Sequence, residues 1–186
     1  MPSAGPPLVA RPDYPNIPTA ITRRESDLLA ELTAGKRVLE IGSYLGYSTV
    51  WMALNRARVV AVDDHEWMGS WSEYQDNLRR YGVERRVLTV RALSTALPAV
   101  PTLSLFDAAF IDGDHAYESA AFDLRLARRV VKSGGWIVAH DYTFPGWHGG
   151  GWPGVIRAVD EALGDLAEIR REGCIYAARL PAPAAS

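Results

Sequence analysis

Short apolar runs alternate with segments of helical period along most of the chain. Val38-Leu39-Glu40-Ile41, Val59-Val60-Ala61-Val62, Val87-Leu88-Thr89-Val90, Phe106 to Ile111 and Trp136-Ile137-Val138-Ala139 each read as a short strand. The intervening stretches read as helices. Thr22-Arg23-Arg24-Glu25 has the spacing of a capping box and opens a helix through Ala34, ended by Gly35. Ser48 to Leu54 is an apolar helix. Ser70-Trp71-Ser72-Glu73 is a second capping box and starts a helix to Tyr81. Ala120, Leu124, Ala127 and Val131 hold helical spacing through a helix from Ala116 to Val131, with Gly134-Gly135 as its stop. Val155 to Leu163 is another helix. Ala167 to Arg171 and Ile175 to Leu180 read as two strands joined at Glu172-Gly173. Strands alternating with helices predict an α/β fold: a doubly wound, mostly parallel sheet covered on both faces, whose last strand is antiparallel.

Composition narrows this picture. At 186 residues the chain has the size of one α/β domain. No internal repeat appears. Residues 1–20 are a proline-rich segment (Pro2, Pro6, Pro7, Pro12, Pro15, Pro18) expected to be extended, 21–180 form the domain, and 181–186 are a tail. The formal net charge is -2 with acids and bases interspersed, which offers no electrostatic case for nucleic acid or an anionic membrane. The single cysteine, Cys174, cannot form an internal disulfide, and its neighbours Ile175 and Tyr176 suggest a buried, inert thiol. No apolar run approaches a membrane span, and the N-terminus lacks the apolar stretch of a signal peptide. The expectation is a soluble cytoplasmic protein acting on a small molecule, with homo-oligomerisation left open.

Candidate chemistry begins at the first strand-to-helix turn, Glu40-Ile41-Gly42-Ser43-Tyr44-Leu45-Gly46-Tyr47-Ser48. In open α/β sheets ligands bind outside the carboxyl ends of the strands, near the switch point. Two glycines permit a tight turn. Tyr44 stands where a dinucleotide fingerprint has its middle glycine, and its side chain should obstruct a pyrophosphate. The Glu40 carboxylate would repel a diphosphate and attract a cationic amino acid; S-adenosyl-L-methionine carries both an ammonium and a sulfonium. A plain turn with a buried structural glutamate is the alternative. Asp63, or its neighbour Asp64, ends the second strand where an acid can accept from both ribose hydroxyls. Leu93 and Ser94 follow the third strand and suit the adenine face and edge. Asp112 ends the fourth strand at the same edge. Glu40, Gly42, Ser43, Tyr44, Gly46, Ser48, Asp63, Asp64, Leu93, Ser94 and Asp112 are therefore the candidate cofactor contacts.

The turn from Val38 to Ser48 resembles the first motif of class I S-adenosylmethionine-dependent methyltransferases, especially the catechol O-methyltransferase-like branch. Phe110-Ile111-Asp112-Gly113-Asp114-His115-Ala116-Tyr117 and Gly134-Gly135-Trp136-Ile137-Val138-Ala139-His140-Asp141-Tyr142 resemble the macrocin O-methyltransferase and cephalosporin-hydroxylase-like group, which acts on sugars and other natural-product scaffolds. The resemblance covers residues 35–165. It implies a Rossmann-like seven-stranded sheet and O-methylation of a small-molecule hydroxyl on a sugar, polyketide or similar scaffold.

Methylating a hydroxyl requires removing its proton, aligning the oxygen with the methyl group and stabilising the alkoxide; a divalent metal can serve the last two. Asp112 and His140-Asp141 end adjacent strands at one edge, and two carboxylates with room for water suit Mg²⁺. His115 lies three residues past Asp112 and can act as general base. The resemblance implies the same roles: acids at Asp112 and Asp141 hold the metal and the basic residue at His115 takes the proton. His140 departs from the pattern, which often has an acid there. An imidazole ligand suits Mn²⁺, Fe²⁺ or Zn²⁺ as well as Mg²⁺, or His140 is a hydrogen-bond donor behind the ligands, a substrate contact or the base itself. Asp112 or Asp114 capping the following helix is the structural alternative. His65 is placed near the ribose or on the surface, and His148 at the substrate mouth or on the surface. The loop from Phe144 to Pro153, with Trp147 and Trp152, reads as a lid or as a satellite cluster. The competing functions are a metal-independent N- or carboxyl-methyltransferase, a nicotinamide oxidoreductase, which Tyr44 and Glu40 disfavour, and a non-catalytic S-adenosylmethionine-binding protein.

Overall fold

The computed structural model describes residues 12–97, 105–143 and 152–182. Pro2, Pro6 and Pro7, and the loop residues Trp147 and His148, lie outside the described residues. The elements are α1 (Arg23–Thr33), β1 (Arg37–Ile41), α2 (Tyr47–Leu54), β2 (Arg58–Asp63), α3 (Trp71–Arg80), β3 (Val87–Arg91), β4 (Phe106–Ile111), α4 (Tyr117–Val130), β5 (Val131–Ala139), α5 (Pro153–Leu163), β6 (Ile169–Glu172) and β7 (Ile175–Arg179). The strands form one Rossmann-like sheet in the order β3-β2-β1-β4-β5-β7-β6. β1 to β5 are mutually parallel, and β7 lies antiparallel between β5 and β6. Two apolar layers cover the sheet. One joins α1, α2 and α3 to the face carrying Val38, Phe110 and Val138; the other joins α4 and α5 to the face carrying Leu39, Ile111 and Ile137.

Register makes the site. Ile41 pairs with both Val62 and Ile111, and Ile111 with Ala139. The ladder runs one residue further: Gly42 N donates to Val62 O, Asp112 N to Ile41 O and His140 N to Ile111 O. Gly42, Asp112 and His140 therefore stand in one row at the carboxyl edge, at the switch point between β1 and β4 where the order of strand addition reverses.

The capping box of α1 forms as read, with Thr22 Oγ1 accepting from Glu25 N and Glu25 Oε2 accepting from Thr22 N at 2.6 Å. The second does not. Ser70 makes no side-chain cap bond, because its hydroxyl lies 3.0 Å from His65 Nδ1. The glycine pair does not stop α4 either. The helix ends at Val130, and β-branched Val131 already pairs with Phe106. Gly134 (φ +75°) and Gly135 instead form the irregularity before pairing resumes at Ala108 and Trp136. A Cβ on Gly135 would lie 2.6 Å from the Asp107 carbonyl oxygen, so this crossing requires glycine. No described helix is long and apolar enough to cross a membrane.

Candidate active site

A cavity of about 900 Å³ opens along the carboxyl edge, within the range of small-molecule sites. Its wall includes Gly42 to Leu45 of the first turn, Asp63 and Asp64 at the end of β2, Leu93 and Ser94 after β3, Asp112 to His115 after β4, and His140 and Asp141 after β5.

The first turn is held open from behind. Gly42 (φ +84°) packs so closely on the β4 loop that a Cβ would meet Asp112 O at 2.0 Å. Gly46 (φ +87°) packs on the Tyr74 ring. These glycines allow protein to approach protein, and Gly46 is not on the cavity wall. Asp63 spends its carboxylate on the same turn: Oδ2 accepts from Ser43 N at 2.7 Å and Tyr44 N at 2.8 Å, and Oδ1 from His65 N. Two amide donors on one carboxylate oxygen hold Tyr44 at φ +45°, a conformation a tyrosine rarely adopts. Its ring tilts against Trp67 at the rim. Asp64 also faces the cavity, so either acid remains a candidate for the diol.

Glu40 corrects the expectation of a charged contact. It is fully buried off the cavity, and Ser48 Oγ and Thr49 Oγ1 each donate to it at 2.5 Å. Burial, only partly offset by these two hydroxyls, pushes its carboxyl up to about 8, so it is neutral at pH 7. It braces α2 against β1 and presents no charge to a cofactor. Ser48 lines the cavity but turns its hydroxyl to Glu40. Ser43 Oγ is buried with no protein partner.

At the other end, Asp112, His115 and Asp141 offer ligand atoms all within 4.8 Å of one another. His115 Nε2 lies 2.6 Å from Asp141 Oδ2. Trp152 stacks on the His115 ring at 4.2 Å, nearly parallel. This fixes Trp152 against the site; its loop partner Trp147 lies outside the described residues. The Asp141 hydrogen bond, against burial, holds the His115 imidazole above its ordinary value. Asp141 itself has φ +61°. Burial opposes its charge, but His115 and His140 hold it well below the usual carboxylate range.

His140 stands behind these ligands, and the expected metal set changes accordingly. It is 4% exposed, with Nδ1 3.2 Å from Asp141 Oδ1 and 3.4 Å from Asp112 Oδ1. Its Nε2 is 3.8 Å from Glu25 Oε1, an ion-pair distance. Burial disfavours its charge, but the Asp112 carboxylate, then Asp141 and Glu25, outweigh burial and hold it far above the usual imidazole value. The cluster of ligand atoms is formed by Asp112, Asp141 and His115, without His140, so His115 takes the third position. One imidazole and two carboxylates on one side, open to the cavity on the other, fit a hydrated divalent ion.

Other expectations resolve simply. Asp112 is not a helix cap; Asp114 accepts from Ala116 N and Ser119 Oγ at the start of α4. His65 is buried between Trp71 and Tyr74, not on the surface. Cys174 is partly exposed, and burial raises its thiol, keeping it protonated.

Glu25 and Asp123 were missed. Capping α1 is only part of what Glu25 does. It is 1% exposed and also accepts from Cys174 N, linking α1 to the β6–β7 turn beneath His140. Burial opposes its charge, yet His140 and the Thr22 and Cys174 amides hold it at about 2. Asp123 sits inside the apolar stripe of α4, between Ala120 and Leu124, and an acid in such a stripe was a readable signal.

Residues 39–142 match the family described as a methyltransferase domain. Catechol O-methyltransferase of Mycobacterium tuberculosis (strain ATCC 25618 / H37Rv) is 36% identical over 127 residues, which cover 61% of this chain and 57% of that protein. The chain thus spans less than two thirds of the length of the curated relatives it matches, 57% and 59% for the two. Among solved structures, cofactor-bound Rv0187 from MTB superposes with a TM-score of 0.70 at 24% identity, covering 91% of this chain and 84% of that one. The O-methyltransferase from Bacillus cereus in complex with SAH gives 0.67 at 20% identity, covering 89% and 84%. At these identities the superpositions establish the fold.

Proposed function

This chain belongs to the methyltransferase domain family, and from that premise we propose that it transfers the methyl group of S-adenosyl-L-methionine to a hydroxyl of a small molecule. The observation that carries the reading is the His115–Asp141 pair, which faces the same cavity as the first turn. The orphaned Ser43 hydroxyl, the β2-end acids and the cavity volume fit a nucleoside-containing cofactor. When bound, S-adenosylmethionine supplies an electrophilic methyl group; the chain must position the acceptor and take its proton.

His115 is built for that proton. Its Nε2–H donating to ionised Asp141 leaves the Nδ1 lone pair as the base, and Asp141 stabilises the imidazolium that forms. Trp152 holds the ring plane and shields one face from water. A divalent ion at Asp112, His115 and Asp141 would lower the acceptor's proton affinity and hold its oxygen in place. His115 would then be a ligand rather than the free base, and the acceptor's proton, made more acidic by the ion, would pass to solvent water in the open cavity. His140 favours a second, metal-free reading, in which its buried positive charge beside Asp112 and Asp141 performs part of the electrostatic task. The resemblance and the named activity of the mycobacterial relative favour a hydroxyl on an aromatic, sugar or polyketide scaffold over an amine.

The test is methyl transfer from isotopically labelled S-adenosylmethionine to a panel of catechols, glycosides and polyketides, with and without EDTA. Turnover restored by Mg²⁺ or Mn²⁺ supports metal assistance, and full turnover in EDTA supports the His140 reading. Labelling of amines or carboxylates alone would overturn the hydroxyl assignment.

A further inference from the structure

We propose that Asp123 reads the six-amino edge of the cofactor's purine and makes the cavity selective for adenine over a six-keto purine. This rests on the S-adenosylmethionine reading above. Asp123 lies on α4, one helical turn after Ser119, and both residues line the cavity. It is 2% exposed, and its Oδ1 has no hydrogen-bond partner. A buried carboxylate oxygen without a donor is costly, and such atoms are rare unless something else satisfies them. The Ser94 hydroxyl neighbours this carboxyl, and a Cβ on Gly113 would lie 3.4 Å from Oδ2. Burial raises the carboxyl to about 6, against the lowering effect of the Ser94 hydroxyl.

The shape of the cofactor decides which donor meets it. The sulfonium methyl must face His115, and the acids suited to the diol, Asp63 and Asp64, end β2. The purine, at the far end of the molecule from the sulfonium, is then the part that reaches the slot between Leu93, Ser94, Ser119 and Asp123. Its exocyclic amine is a donor there, and Asp123 Oδ1 is an acceptor without one. A six-keto purine would set oxygen against oxygen, the mismatch that polar sites reject most strongly.

The experiment is calorimetric titration of the full chain with S-adenosylhomocysteine and S-inosylhomocysteine. We expect the wild type to prefer the adenosyl compound by about 10- to 100-fold, the range of one charge-assisted hydrogen bond. Asp123→Asn, whose amide can donate to a keto oxygen, should abolish or invert that preference. Should Asp123→Asn fail to fold by circular dichroism, Asp123→Ser should still lose the discrimination. A folded variant that keeps the wild-type ratio, or a wild type that binds both compounds equally, overturns this inference and leaves the cofactor reading intact. A folded wild type that binds neither compound overturns the cofactor reading itself, and this inference with it.

Discussion

Glu40→Gln tests whether the acid of the first turn is a charge or a brace. The carboxyl sits at about 8 in the fold against an ordinary 4.5. Between those values the folded chain keeps a proton that the unfolded chain has released. The associated stability is complete below the unfolded value and is lost as pH rises through about 8. One proton of difference amounts to about 1.4 kcal/mol per pH unit, or roughly 3 kcal/mol between about pH 5.5 and about pH 7.5. Glutamine keeps the shape, stays neutral throughout, and can still pair with the Ser48 and Thr49 hydroxyls. The variant should therefore gain on the wild type by that slope as pH rises. Urea denaturation of both proteins across this interval gives the difference directly, and the shared titrations of Glu25, His140 and Asp141 cancel in it. Because Glu40 is off the cavity wall, affinity for S-adenosylhomocysteine should stay within a few-fold. Parallel stability curves together with lost cofactor affinity would refute the reasoning and restore Glu40 as an ionised cofactor contact.

Gly35 and Gly42 share a positive φ, but only Gly42 faces backbone at 2.0 Å; nothing lies within 4 Å of a Cβ at Gly35. Gly35→Ala should thus cost about 1–2 kcal/mol of conformational strain, and Gly42→Ala more than that, with loss of both cofactor binding and turnover; equal melting temperatures would contradict the close packing. His115→Ala should lower turnover by about 10²–10⁴ without changing cofactor affinity, measured under single-turnover conditions; unchanged turnover would move the base elsewhere. Because the Asp141 hydrogen bond holds the His115 imidazole above its ordinary value, the wild-type rate should fall on acidification at a midpoint above about 6.5. Asp141→Asn should move that midpoint toward lower pH in the residual rate. Thr22→Ala removes the cap of α1 and should cost about 1 kcal/mol in denaturant unfolding.

The order of strands and helices was legible in the sequence because buried parallel strands and amphipathic helices write distinct periods into a chain. The turn after β1 was legible for a related reason, since glycines and acids at strand ends are local chemistry. The helix stop at Gly134-Gly135 was misread because Val131 is drawn into the sheet by Phe106, a partner some 25 residues away. Ser70 lost its capping role to a nearer competitor, the His65 ring five residues earlier, which is itself buried against Trp71 and Tyr74. The division of labour among the charged groups was the least legible. Nothing in the spacing of Glu40 shows that complete burial outweighs two hydroxyl donors and raises its carboxyl. The His140-Asp141 dipeptide does not reveal which side chain turns inward. That depends on register across β1, β4 and β5 and on Glu25, which reaches His140 from the first turn of α1. Sequence by itself determined which residues gather at the carboxyl edge. Tertiary structure decided which of them carry charge and which face the cavity, because ionisation follows burial and partners, and both are set by residues far apart in the chain.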